Sequence, residues 1–234
     1  VGVLVGLAEE IEDLRIPNLY NSIAYVTSAG WSIVARKQLL PTYDVFDEKR
    51  YFRENISAGH LDLKNNGRDW RLGITICEDL WVEDCIQEKR LAGPDPINKL
   101  MKKNIDILVN MSASPFSHKK DSIRLRVARK ASKKLNCPII YVNQVGGNDE
   151  LVFDGSSFTL DKQGKLQQEL PAFQESIFLY DTTSINKQKS ISSPYPTSQE
   201  SLFRALVLGV KDYAKKCNFN SAIIGLSGGI DSAL

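Results

Sequence analysis

Trp70-Arg71-Leu72-Gly73-Ile74-Thr75-Ile76-Cys77-Glu78-Asp79-Leu80-Trp81 is the stretch whose reading decides the fold. Its first seven residues are rich in β-formers and end abruptly at a thiol followed by an acidic pair. Such a run suggests a buried strand that delivers one side chain to its C-terminal edge. Open α/β sheets place their sites at that edge. A thiol held there is a candidate nucleophile, provided a neighbour lowers its pKa or takes its proton. An isolated Cys is more often a small buried core residue, so the choice rests on the rest of the chain.

Outward from this strand, alternation of strands and helices continues. Val1 to Leu7 reads as a buried strand, and Ile23 to Thr27 and Ser32 to Ala35 as two more around a Ser28-Ala29-Gly30 turn. Ile56 to Leu63 and Asp69 to Ile76 form a hairpin across Asn65-Asn66-Gly67. Pro94 to Lys103 reads as a helix with Pro near its first turn, and Ile105 to Met111 as a buried strand. Asp121 to Leu135 is a helix with Ile123, Val127, Ala128, Ala131 and Leu135 on one stripe. Its other face, Arg124, Arg126, Arg129, Lys130, Lys133 and Lys134, reads as solvated. Pro138 to Gln144, Ser156 to Asp161, Lys165 to Leu170 and Ile177 to Tyr180 complete the strands. Helices alternating with strands, framed by hairpins, predict an α/β layered sandwich.

The composition changes at Asp181 to Gln199, which is polar, carries Pro194 and Pro196, and reads as a linker. The expected boundaries are a first domain at 1–182, a linker at 183–199 and the start of a second domain at 200–234. Glu200 to Cys217 reads as an amphipathic helix with Phe203, Leu206, Val207, Val210, Ala214 and Cys217 on its apolar face. Ser221 to Leu226 reads as a buried strand, followed by Ser227-Gly228-Gly229-Ile230-Asp231-Ser232. Glycines that let backbone N–H groups approach an anion, a helix start and two hydroxyls suit phosphate binding. Asp231 is placed to hold Mg²⁺ beside such phosphates. A Gly-rich turn that only caps a helix is the plainer reading, and it would prevail for a lone S-G-G.

The chain has 234 residues and a formal net charge of +2, which is too small to argue for nucleic acid as a partner. No apolar run approaches a membrane span, and no signal peptide opens the chain. Cys77, Cys85, Cys137 and Cys217 form no C-x-x-C pair, which suits a reduced, cytoplasmic protein without structural zinc. His60 and His118 are the only histidines, so a Lys or Glu is the more natural partner for a reactive thiol. Val1 lies inside an apolar run and Ala233-Leu234 inside a helix start, so both ends read as cut.

Ile76-Cys77-Glu78-Asp79-Leu80-Trp81 together with Arg36-Lys37-Gln38-Leu39-Leu40-Pro41-Thr42-Tyr43 resembles the nitrilase, or carbon–nitrogen hydrolase, superfamily over Val1 to about Thr182. The resemblance implies an α-β-β-α sandwich in which Cys77 is the nucleophile and Lys37 the cationic member of a Glu-Lys-Cys triad. It implies a glutamine pocket lined by Tyr43, Glu48, Trp81, Ser114 and Lys120. The triad's Glu would lie before Val1. Glu9, Glu10 and Glu12 follow the wrong kind of segment for that role, so the chain as it stands is expected not to hydrolyse amides alone.

The S-G-G-I-D-S loop resembles that of the ATP pyrophosphatase superfamily, which implies the opening of a Rossmann-like α/β domain. Ser227, Gly228, Gly229, Ile230, Asp231 and Ser232 would then bind ATP, with Asp231 on Mg²⁺. The combined order resembles the glutamine-dependent NAD⁺ synthetases as a family. That implies glutamine, ATP and nicotinic acid adenine dinucleotide as substrates and no permanently bound cofactor, with a homo-oligomer expected. A stand-alone amidase and a non-catalytic scaffold are the competing readings.

Overall fold

The computed structural model describes every residue except 14, 15, 66, 83–92, 183–190, 193 and 234. Cys85 therefore lies outside the described residues. Three strands come first, β1 (Val3–Glu10), β2 (Leu19–Thr27) and β3 (Gly30–Arg36), paired antiparallel in the order β1-β2-β3. A short helix α1 (Glu48–Tyr51) leads to the hairpin β4 (Gly59–Asn65) and β5 (Arg68–Ile76). After a 3-10 turn at Cys77–Leu80 come α2 (Pro96–Met101), β6 (Ile107–Ser112), α3 (Lys120–Leu135) and β7 (Ile139–Asn143). The strands β8 (Val145–Asn148), β9 (Leu151–Asp154), β10 (Phe158–Leu160), β11 (Leu166–Glu169) and β12 (Ile191–Ser192) follow. The chain closes on α4 (Ser198–Lys216) and α5 (Ile230–Ala233).

The main sheet runs β12-β11-β10-β7-β6-β5-β4. Its centre, β5-β6-β7, is parallel, with α2 and α3 in the crossovers, and antiparallel pairs flank it. One face packs on α2 and α3 through Ile97, Leu100, Leu108, Val127, Ala128, Ala131, Ile139 and Phe158. The other meets the three-stranded sheet through Ile23, Ala35, Ile74 and Ile76. The two sheets approach closely because Gly59 has no side chain: a Cβ there would lie 2.4 Å from Ala35 Cβ. Among the described residues this is a helix–sheet–sheet layering. The parallel centre explains why the C-terminal part of β5, Gly73 to Ile76, is buried, being covered on both faces.

Several elements depart from the sequence reading. Val1 to Leu7 is expected to be buried, yet Val3 and Val5 are 52% and 43% exposed. The strand exists, but β1 is the edge of its sheet, paired with β2 alone. Ile177 to Tyr180 is extended without strand pairing, and Ser221 to Leu226 is exposed and unpaired. A strand needs a neighbour for its N–H and C=O groups, and the described residues offer neither segment one. The hairpin β8–β9, which reads from sequence only as the end of the preceding strand, pairs Gly146 with Phe153 and Gly147 with Val152.

Helix α4 is the larger surprise. Thr197 caps it by accepting from the Glu200 N–H. The expected apolar face is outside, with Phe203, Leu206 and Val210 between 61% and 71% exposed. The helix docks instead on its small-residue stripe, Ser201, Ala205 and Gly209, against β8 and β9. A Cβ on Gly147 would lie 3.2 Å from Gly209 Cα, so the two backbones touch. Gly147 N–H donates to Asp212 Oδ2 at 2.8 Å, and Lys216 Nζ donates to the Gly147 carbonyl. Small residues permit this approach, whereas Phe203 or Leu206 on that face would hold the helix off.

Candidate active site

The parallel strands β5, β6 and β7 deliver Cys77, the Ser112–Ser114 segment and Asn143 to one edge of the sheet. Cys77 leaves β5 with φ 45°, a left-handed conformation costly for a residue with a Cβ, and this sharp turn starts the 3-10 turn. Burial pushes its thiol up to about 11, with the Lys37 charge working against burial. At neutral pH the sulfur is therefore a thiol, and it needs a base before it can attack a carbon.

Lys37 follows the last residue of β3 and is 2% exposed. Its Nζ donates to Glu48 Oε1 at 2.5 Å. Burial works against the ammonium, but the Cys77 and Glu48 charges more than offset it, so its pKa is raised. Glu48 thus stands beside Lys37, and its other oxygen, Oε2, is buried with no hydrogen-bond partner among the described residues.

The loop that carries Lys37 is tied to the Cys77 turn by Asp79. Its Oδ1 accepts from the backbone N–H of Gln38 and of Leu39, both at 2.9 Å, and its Oδ2 accepts from Ile76 N–H at 3.2 Å. Asp79 is 2% exposed, and burial raises its carboxyl from 3.8 to about 6 despite these donors. Glu78 is buried as well, and Tyr43 Oη donates to its Oε1 at 2.6 Å. Burial raises the Glu78 pKa, with the Tyr43 hydroxyl opposing.

Ser114 is 2% exposed and is held from both ends of its peptide. Its N–H donates to Asn143 Oδ1 at 2.9 Å, and its carbonyl accepts from Arg124 Nη2 at 2.8 Å. Lys120 is buried, and burial together with the Arg124 charge lowers its pKa, while the Cys77 and Glu78 charges pull the other way. Arg124 is the clearest correction to the sequence reading, which places it on a solvated face. It is 2% exposed and makes a two-pronged pair with Asp154, Nη1 lying 2.8 and 2.9 Å from the two carboxylate oxygens. Position 124 shares a helical stripe with Ala128 and Ala131, and that 3.6 periodicity is the signal that would have found it.

The structure therefore brings Cys77, Lys37, Tyr43, Glu48, Ser114 and Lys120 into one linked neighbourhood, together with Glu78, Asp79 and Arg124. Trp81 differs, since it is 2% exposed within the core beside Leu80 and Leu100 rather than lining an open wall. Glu9 is half-buried and accepts from Arg36 and Ser22. The Ser227–Ser232 loop is exposed and folds on itself: Gly228 has φ 88°, and Ser232 Oγ accepts from Ser227 N–H at 3.1 Å. Asp231 opens α5. No group of three potential metal ligands occurs among the described residues, so Asp231 would hold a metal ion only alongside phosphate oxygens. No described helix is long and apolar enough to cross a membrane.

A strand-edge cysteine with a buried lysine beside it, at the meeting of two sheets, defines a class. The family model described as carbon–nitrogen hydrolase matches residues 1–185, and the chain belongs to that family. The NAD synthase model matches residues 202–234. The chain is 42% identical over 240 residues to a glutamine-dependent NAD(+) synthetase of Synechocystis sp., covering 100% of this chain and 42% of that protein. It is 35% identical to the enzyme of the same name from Acinetobacter baylyi, covering 92% of this chain and 37% of that one. Among solved structures, a glutamine-dependent NAD⁺ synthetase from Acinetobacter baumannii in complex with ADP superposes with TM-score 0.81 at 32% identity, over 100% of this chain and 41% of that chain. A carbon–nitrogen hydrolase from Helicobacter pylori, at TM-score 0.59 and 22% identity over 75% of this chain and 60% of that chain, shares the fold. The chain spans about two fifths of the length of the curated relatives it matches.

Proposed function

We propose that this chain is the glutamine-hydrolysing part, with the opening of the synthetase part, of an enzyme that amidates nicotinic acid adenine dinucleotide to NAD⁺. The observation that carries this reading is the pairing of Cys77 with a buried, Glu48-held Lys37 in a chain that runs on into Ser227-Gly228-Gly229-Ile230-Asp231-Ser232. Residues 1–182 carry the glutaminase fold, α4 docks on its β8–β9 hairpin, and the residues after α4 lead into the ATP-using domain.

Cys77 Sγ attacks the side-chain amide carbon of glutamine, and the thiol proton passes to the carboxylate base of the triad. The Lys37 ammonium stabilises the oxyanion of the tetrahedral intermediate. Collapse gives the thioester and releases ammonia, which takes its proton from the base. Water then cleaves the thioester to glutamate and restores the thiol. The unpartnered Glu48 Oε2 is an acceptor for a substrate N–H, and Tyr43, Ser114 and Lys120 border the same space. In the second domain the Ser227–Ser232 loop would hold ATP as its Mg²⁺ complex, and Asp231 is the residue that would hold the metal. The nicotinate carboxylate is adenylated there with loss of pyrophosphate, and ammonia displaces AMP. Delivery through the protein interior suits this chemistry, since ammonia is mostly protonated in neutral water.

Glutamine hydrolysis is to be measured on the full-length protein with and without ATP and the dinucleotide, beside a Cys77→Ala variant. Hydrolysis that rises with the dinucleotide and yields NAD⁺ is expected. The variant should lose it while added ammonia still supports synthesis. Hydrolysis indifferent to both, with no NAD⁺ from either nitrogen source, would leave a stand-alone amidase.

A further inference from the structure

Tyr195 lies in the Pro194-Tyr195-Pro196 stretch, two residues before the cap of α4, where the sequence reads only as linker. Its hydroxyl is nevertheless bonded inward: Oη donates to Asp154 Oδ2 at 2.8 Å. Asp154 is 1% exposed and is the carboxylate that clasps Arg124. Arg124 in turn spends its remaining N–H groups on one short segment. Nε donates to Ser114 Oγ at 3.2 Å, and Nη2 donates to the carbonyls of Ser114 and Pro115 at 2.8 and 3.0 Å. A second path follows the same direction through rings. Tyr195 lies 6.3 Å from Phe173, which meets Phe116 edge-on at 5.4 Å, and Phe116 follows Ser114 and Pro115.

From these contacts we infer that Tyr195 is a positioning residue for the glutamine site. Acting through Asp154 and Arg124, it fixes Ser114 relative to Cys77. The inference rests on the reading of Ser114 as part of the amide-substrate site. Its physical basis is the geometry of a buried ion pair. A planar guanidinium bonded through Nε, Nη1 and Nη2 cannot turn without breaking bonds to Ser114, and the carboxylate that orients it also accepts from Tyr195. Burial and the Asp154 charge hold the Tyr195 phenol above its ordinary pKa, so it remains a donor across the working pH range. Tyr195 also stands at the foot of α4, whose far end grips Gly147 through Asp212 and Lys216. A displacement of the helix start therefore reaches Ser114 through three bonded side chains, Tyr195, Asp154 and Arg124.

The test is a double-mutant cycle on glutamine kinetics in the full-length protein, which separates coupling from independent damage. Tyr195→Phe keeps the ring against Phe173 and removes only the hydroxyl. Ser114→Ala removes the Oγ that accepts from Arg124. In the wild-type background Tyr195→Phe is expected to raise KM for glutamine about 3- to 10-fold with kcat within about twofold, the loss of one charge-assisted hydrogen bond. In the Ser114→Ala background the same substitution should change KM by less than about twofold, because the hydroxyl that Arg124 Nε orients is gone. An unchanged KM in Tyr195→Phe, or an equal rise in both backgrounds, overturns the relay while leaving the glutaminase reading intact. Absence of glutaminase activity in the wild type would remove that reading and the inference with it.

Discussion

Asp79→Asn tests whether burial or hydrogen bonding governs the carboxylate that ties the Lys37 loop to the Cys77 turn. In the folded protein burial raises Asp79 from 3.8 to about 6, although three backbone N–H groups favour the charged form. At about 1.36 kcal/mol per pH unit the rise is worth about 3 kcal/mol. The sign follows from linkage. A group whose folded pKa is raised contributes fully below its unfolded pKa, and that contribution is lost as pH climbs through the folded one. Asp79 therefore costs the wild type stability between about pH 4 and pH 6, and about 2 kcal/mol of the loss falls between pH 4.5 and 7.5. Asn cannot ionise. It keeps an acceptor for Gln38 and Leu39 but turns an NH₂ toward the Ile76 N–H, a constant loss of about 1–3 kcal/mol. Urea unfolding of both proteins across this range, compared as a difference, cancels the other titrating groups. The Asn variant should gain about 2 kcal/mol on the wild type from pH 4.5 to 7.5. A difference that stays flat, or that moves the other way, would refute the reasoning and mean that the three N–H donors outweigh burial.

Lys37→Met should cut glutamine hydrolysis in the full-length protein by about 10²-fold or more, as removal of an oxyanion donor does. Glutamate release assayed on folded variant, checked by circular dichroism, decides it, and a loss under about tenfold would remove Lys37 from the chemistry. Gly59→Ala should destabilise by about 1–3 kcal/mol, because its Cβ would meet Ala35 Cβ at 2.4 Å and the Ile74 carbonyl at 2.9 Å. Gly6→Ala, with nothing within 4 Å, should stay within about 0.5 kcal/mol. Thermal melts of the two variants side by side would show whether the sheets really approach at Gly59.

What could be read from the sequence was local. The run from Trp70 to Ile76 is rich in β-formers and its end is covered on both faces, so strand and thiol were legible together. Lys37 and Cys77, forty residues apart in the chain, could be joined only through the resemblance that Leu39-Leu40-Pro41-Thr42-Tyr43 carries. What stayed hidden depends on what lies opposite in space. Arg124 looks like its neighbours Arg126 and Arg129 until Asp154 arrives from β9. Glu48 reads as a pocket residue because nothing in Asp47-Glu48-Lys49 shows that Lys37 faces it. In α4 the pattern of Phe203, Leu206 and Val210 outweighs that of Ser201, Ala205 and Gly209 on any hydrophobic scale. The helix nevertheless docks on the second set, because contact between glycines needs small residues and not apolar ones.

That docking bears on how the protein can be taken apart. The change of composition at Asp181 invites a cut there, and a chain ending at 182 would look like a self-sufficient hydrolase. It would also lose the Tyr195 donor from Asp154 and the Asp212 acceptor from Gly147, and it would bare the β8–β9 surface on which α4 packs, Gly147 included. Helix α4 packs on β8 and β9, so a dissection that respects these contacts leaves residues 195–217 attached to the hydrolase.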